Sequence, residues 1–168
     1  GDSIYTTRNS GLLYHGTGSF GAALGTWMTC IECQMKNGSL GDTYLMNNST
    51  CETAVLKNDS LNICTYSPGA PAVSFGEQAS GHSVKKMTDA ERPVGEWNTI
   101  ELYSVGQTTV HVVNGVTVMV NQQTGLFENG IIKPLTSGRI QLQSEGAELF
   151  VKSLEIKPIS NIPQEILK

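Results

Sequence analysis

Proton transfer needs an imidazole or a carboxylate, and His15, Glu32, Glu101, His111, Glu145 and Glu148 carry such groups within or beside strand-like sequence. Carboxamides able to hold hydroxyl groups accompany them at Gln34, Gln141 and Gln143, while the indoles of Trp27 and Trp97 could stack on a pyranose ring. Spacing is most informative in "WMTCIECQM". Alternation puts Cys30, Glu32 and Gln34 on one face of an extended segment and Ile31, Cys33 and Met35 on the other. A carboxylate and an amide thus share a face two residues apart. His15, closing "SGLLYH", is either a sugar-handling group at the mouth of a site or a strand residue held by a hydrogen bond. These polar residues could line the wet face of a curved sheet, and equally could form an ordinary solvated one.

Several other chemistries are excluded by pattern. The chain has no HExxH helix, no phosphate loop ending in GK[ST] and no GxSxG elbow. The glycine-rich stretch from Gly16 to Gly25 lacks both the lysine and the following helix that phosphate binding requires. Eleven basic against fifteen acidic residues give a net charge of -4, with 15% of residues charged where about 25% is typical. A nucleic-acid partner, which needs a cationic footprint, is not expected. Neutral polar ligands such as oligosaccharides suit this composition better. "CIEC" pairs two thiols, but Cys51 and Cys64 form no second CxxC, so structural zinc is disfavoured and the alternatives are free thiols or a Cys51–Cys64 disulfide. Asp42 after Gly41 could contribute to a structural calcium site. No apolar run approaches a membrane span, and no signal-peptide pattern opens the chain.

The elements that must position these groups read as strands and turns with almost no helical signal, and the length suits one domain burying about 70% of its unfolded surface. "SGLLYH", "WMTCIECQM", "TYLM" and "EWNTIELYSVG" are strands; "TTVHVVNGVTVMV" is a hairpin turning at Asn114-Gly115. Such a turn pairs Val113 with Val116, and so His111 with Val118. A second turn at Gly106-Gln107 sets Leu102 opposite His111, among aliphatic neighbours. "GRIQLQSEGAELFVKSLEIKPI" predicts two strands around Glu145-Gly146, the second needing a bulge near Lys152-Ser153. The loop "GTGSFGAALGT" could border a pocket. The span from Asn47 to Glu91 is the least regular, with one or two short strands and then an extended connection, and "SNIPQEILK" reads as a short tail.

Four blocks, "RNSGLLYH", "GTWMTCIECQMKNGSLGD", "GEWNTIELYSVGQTTVHVVNG" and "GRIQLQSEGAELFVKSLEIKPI", together resemble the 3-keto-disaccharide hydrolase family. The resemblance implies an all-β, two-sheet antiparallel sandwich of the concanavalin A-like jelly-roll class, spanning residues 1–168 as a single domain. Members usually have further strands ahead of "SGLLYH", so a sandwich completed by residues upstream, by strand donation or by a homo-oligomer is expected. It also implies a bacterial, exported setting (periplasmic, outer-surface or secreted) and a neutral oligosaccharide or keto-glycoside substrate. Carried onto this sequence, it marks His15, Glu32 and Glu145 as catalytic, with Glu32 or His15 the base. Arg8, Gln34, Gln141, Gln143, Glu101 and His111 become substrate-binding residues, to which the residue types alone add Trp27. A divalent metal such as calcium, held by His15, Glu32 and Asp42, could stabilise an enolate. A non-catalytic carbohydrate-binding module and a conventional glucanase-like glycosidase stand as the alternatives, the latter weakened because the amide Gln34 follows Glu32 where a second carboxylate would be needed.

Overall fold

A computed structural model describes residues 9–167. Twelve strands occupy them: β1 (Asn9–Thr17), β2 (Thr29–Gln34), β3 (Thr43–Met46), β4 (Ser49–Asn58), β5 (Ile63–Tyr66), β6 (Ala72–Phe75), β7 (Ser83–Val84), β8 (Ile100–Val105), β9 (Thr108–Val113), β10 (Val116–Glu128), β11 (Ile131–Pro134) and β12 (Arg139–Glu145). They form two antiparallel sheets, β12-β1-β2-β3-β7 and β5-β4-β10-β9-β8, with β6 added to β4 and β11 to β10. This is the expected two-sheet β-sandwich.

Alternation accounts for the space between the sheets. Tyr14, Ile31, Cys33 and Leu45 of the five-stranded sheet lie in one core with Cys51, Val55, Phe75 and Met119 of the other. At roughly 1.5–3 kcal/mol for each large aliphatic or aromatic side chain removed from water, this shared layer holds the sheets together. The Asn114-Gly115 turn adopts positive φ at both residues, as a two-residue hairpin loop demands, and pairs Val113 with Val116. Leu102 faces His111 as expected, but His111 faces Met119 instead of Val118, because a bulge between Thr117 and Met119 consumes one residue.

Two stretches depart from expectation. Residues 47–91 hold four strands, since β4 is long enough to pair with both β5 and β6 along one edge. Conversely, "ELFVKSLEIKPI" forms no second strand after β12. Phe150, Val151, Leu154 and Ile156 stay exposed, and no ladder partner fixes them among the described residues. The tail does more than end the chain: Ile162, Ile166 and Leu167 join the main core, and the Thr117 hydroxyl donates to the Ile166 carbonyl at 2.7 Å. All four cysteines are free thiols, so the Cys51–Cys64 alternative is not realised. Burial raises the Cys30 and Cys51 thiols to about 12 and pushes the Cys33 thiol up as well, which keeps them protonated.

Candidate active site

The outer face of the five-stranded sheet is built by register. Leu13 pairs with Gln141 on one side and Glu32 on the other, and Glu32 pairs in turn with Tyr44. One step along, Gly11 lies between Gln143 and Gln34; a further step along, Asn9 faces Glu145. Because Leu12, Tyr14, Ile31 and Cys33 take the inward phase, the intervening polar residues must turn outward. Glu32, Gln34, Gln141, Gln143 and Glu145 therefore gather on one surface, as alternation in the sequence implies.

Glu32 is the unusual member. Only 2% of it is exposed, and its Oε1 has no hydrogen-bond partner. Burial, and then the charge of Glu145, push its carboxyl up to about 7. Gly11 makes the room: a methyl there would collide with Glu32 Oε1 and stand 2.8 Å from Gln143 Oε1. Gln143, also buried, gives its amide to Glu145 Oε2 at 3.1 Å, and Asn9 donates to the same oxygen at 3.2 Å. With both amides so used, the carbonyl oxygens of Asn9 and Gln143 are left unpartnered, that of Gln143 meeting Glu32 Oε1 over Gly11. Three acceptors without donors mark a place where hydroxyl groups of a ligand would be welcome, since each orphaned buried acceptor costs about 1–3 kcal/mol.

His15 does not join them. The β1 ladders slip between Leu13 and Thr17, and His15 takes a left-handed φ of 55°. That bulge breaks the alternation and brings the ring to the opposite sheet, where Nε2 meets Ser104 Oγ at 3.0 Å and the ring packs edge-on to Tyr14. The expected convergence of His15 with Glu32 is thereby corrected. His111 is corrected too: fully buried, it donates from Nδ1 to the Gly41 carbonyl at 3.0 Å and accepts from the Tyr14 hydroxyl at 2.9 Å, leaving no ring nitrogen for a ligand. Burial lowers it to about 4, so it is a neutral structural group. Glu101 lies on the outer side of the other sheet, accepting from the Tyr103 hydroxyl at 3.2 Å.

The remaining expectations divide. Asp42 is committed to Lys85 Nζ and the Lys86 amide, both at 2.9 Å, so His15, Glu32 and Asp42 assemble no metal site; among the described residues no trio of His, Cys, Asp or Glu could hold one. Trp27 does sit over the outer face, but packs on Leu13, Ala23, Cys30 and Met46 as an anchor for the glycine-rich loop. Gln34 spends its carbonyl on the Met35 and Lys36 amides, and Gln141 spends its own on the Met28 amide. Their amide groups face the same surface. Arg8 lies outside the described residues.

A family model described as the 3-keto-alpha-glucoside-1,2-lyase-like domain matches residues 3–157. The chain belongs to this family. No curated protein and no solved structure matches it. Within this lyase-like domain, sequence reasoning missed Tyr44. The four-residue "TYLM" gives it no distinction, and only the cross-strand register shows that it is the direct neighbour of Glu32.

Proposed function

We propose that this domain cleaves 3-keto-glycosides on the outer face of the five-stranded sheet, with Glu32 moving the proton. The single observation behind this is the Glu32 carboxyl, raised to about 7 and bearing an unpartnered oxygen next to the unpartnered Gln143 carbonyl. A group poised near neutrality can both take and return a proton at working pH. A ketone at C3 acidifies the C2 hydrogen. Glu32 carboxylate removes that proton, the C–H electrons form the enolate, and the enolate expels the C1 oxygen as a C1=C2 double bond forms. The departing oxygen receives the proton from Glu32, which returns to carboxylate. Water added across the double bond then yields the free 3-keto sugar. The Asn9 and Gln143 carbonyls suit sugar hydroxyls, and burial, with the charge of Glu145 second, keeps Glu32 basic.

Glu32→Gln tests this directly. Release of aglycone from a 3-keto-glucoside should fall by about 100-fold or more, and the wild-type rate should rise with pH through about 7, because the base must be ionised. Turnover near wild type in Glu32→Gln rejects the proposal. A second role, carbohydrate binding without catalysis, is favoured by one observation: His15 is engaged with Ser104 on the other sheet, so its imidazole does not share this face with Glu32. Sugar binding by the wild-type protein with no aglycone release would select it. A glucanase-like pair is less well supported, since Glu32 and Glu145 stand on strands separated by β1, roughly 10 Å between backbones.

A further inference from the structure

Two residues beyond Glu32 on β2, Gln34 faces a surface whose chemistry is the reverse. The Gln34 carbonyl accepts from the Met35 and Lys36 amides at 3.1 and 3.2 Å, which fixes the orientation of the side chain and turns its amide nitrogen away from its own backbone. That nitrogen meets no acceptor among the described residues. Gln34 lines a hollow of about 200 Å³ with Lys36, Ser39, Asp42, Ser83 and Lys85, and Glu32 is not in its wall. Proton transfer makes no use of it.

Donors dominate this hollow. Its one carboxylate, Asp42, has both oxygens filled, Oδ2 by Lys85 Nζ and Oδ1 by the Lys86 amide, each at 2.9 Å. Lys85 is fixed by that ion pair at one end and by its backbone at the other, where its amide donates to the Cys64 carbonyl at 2.9 Å and its carbonyl accepts from the Tyr66 amide at 2.8 Å. An ammonium has three hydrogens; Asp42 takes one, and the Lys85 side chain stays 47% exposed. Lys36 has no carboxylate partner among the described residues. Two ammoniums against one carboxylate that is already filled leave a local excess of positive charge, although the whole chain carries -4. A sugar hydroxyl brings another donor to a place where donors are in surplus, whereas an oxyanion brings acceptors alone, and its bonds to ammonium groups are about twice as strong as neutral ones.

We infer that this hollow holds an anionic oxygen group, a carboxylate or a sulfate, carried on a saccharide whose body extends across Gly11 toward Glu32. Gln34 pairs across the sheet with Gly11, over which the Glu32 and Gln143 oxygens meet, so donors and acceptors lie about one strand spacing, roughly 4.8 Å, apart. The inference rests on the carbohydrate role proposed above and specifies an acidic ligand for it. Lys36 and Lys85 bind that group and touch no reacting atom.

The experiment is an amide NMR titration of the 168-residue chain with glucuronate and with glucose 6-sulfate, against glucose as the neutral control and inorganic sulfate as the free oxyanion. At about 20 mM salt a charged sugar should shift the Lys36, Ser39, Ser83 and Lys85 amides and bind about tenfold more tightly than glucose, a gain that shrinks as salt rises to about 300 mM. Whichever of the two binds more tightly tells carboxylate from sulfate. Lys36→Gln should lower that affinity roughly fivefold, whereas Lys36→Arg, which keeps the charge, should bind like wild type. Lys36 is the position to change because Lys85→Gln would also strand the buried Asp42. Equal affinity for glucose and both charged sugars, no shift at Lys36 or Lys85, unchanged affinity in Lys36→Gln, or inorganic sulfate binding as tightly as the charged sugars overturns the inference. Acidic-sugar binding at Lys36 in a protein that releases no aglycone from 3-keto-glucosides would keep this inference and end the catalytic one. Aglycone release with no preference for an acidic sugar would do the reverse.

Discussion

The two sides of the five-stranded sheet treat polar atoms in opposite ways. Facing the other sheet, every polar group of the central network is paired: Tyr14 bridges Thr109 and His111, His111 closes on Gly41, and Asn121 binds Thr43, Thr53 and Thr109. Facing outward, across a single strand's thickness, Asn9, Glu32 and Gln143 each leave an oxygen without a donor. Similar residue types serve both, and burial is nearly complete for Glu32 and Gln143 as for His111. Satisfaction, and not polarity or depth, separates these two clusters, while His15 Nδ1 and Thr50 Oγ1, outside both, are also buried without a partner. A network with all its hydrogen bonds made locks the sandwich; one lacking donors waits for a ligand that brings them.

Substitutions can break this contrast, and the largest effect should come from Gly11→Ala. Its methyl would occupy the place of the Glu32 carboxyl. Because a misplacement of about 1 Å in a reacting group costs on the order of 100-fold, aglycone release should fall by that much while circular dichroism shows a folded sandwich. Activity at the wild-type level would mean that the outward cluster is not a site.

Stability should respond next. Glu32 has a folded pKa above its ordinary 4.5, so the native chain holds a proton that the unfolded chain releases between about 4.5 and 7. Its contribution is fully favourable below that window and is lost as pH rises through it. Glu32→Gln should therefore be more stable than wild type at pH 8 by about 3 kcal/mol, a gain that disappears near pH 4, as read by denaturant titration. Equal stability at both pH values would remove the tension attributed to this carboxyl. On the inward side the sign reverses. Tyr14→Phe deprives His111 and Thr109 of a partner and should cost about 1–3 kcal/mol, without moving the pH dependence of turnover. A shifted pH profile in that variant would show the two sides to be coupled.

Much of this contrast is written in period two. The alternation of "TCIECQ" and "RIQLQ" puts Glu32, Gln34, Gln141 and Gln143 on one surface, and Asn114-Gly115 sets the hairpin register that buries His111. His15 escapes the pattern because one residue with left-handed φ reverses everything alternation says about it, and nothing in "LLYHG" signals that a non-glycine will adopt it. The strands β5, β6 and β7 escape because short, polar-flanked edge strands depend on partners distant in sequence, not on local propensity. Tyr44 is invisible for a related cause: its meaning lies entirely in what β2 sets beside it.

Gln143 and Glu145 ride on β12, the outermost ribbon of their sheet among the described residues, which carries Ile140 and Leu142 half uncovered on its other face. Edge ribbons are the first to fray, so amide exchange should be faster along Gln141–Glu145 than along the inner strand β2. Each such excursion would uncover Glu32 and carry Glu145 away, removing both the burial and the lesser charge effect that raise its carboxyl. The tempo of the chemistry is then set partly by how often the rim of the sheet comes loose, and anything that clasps this border would act as a throttle on the reaction.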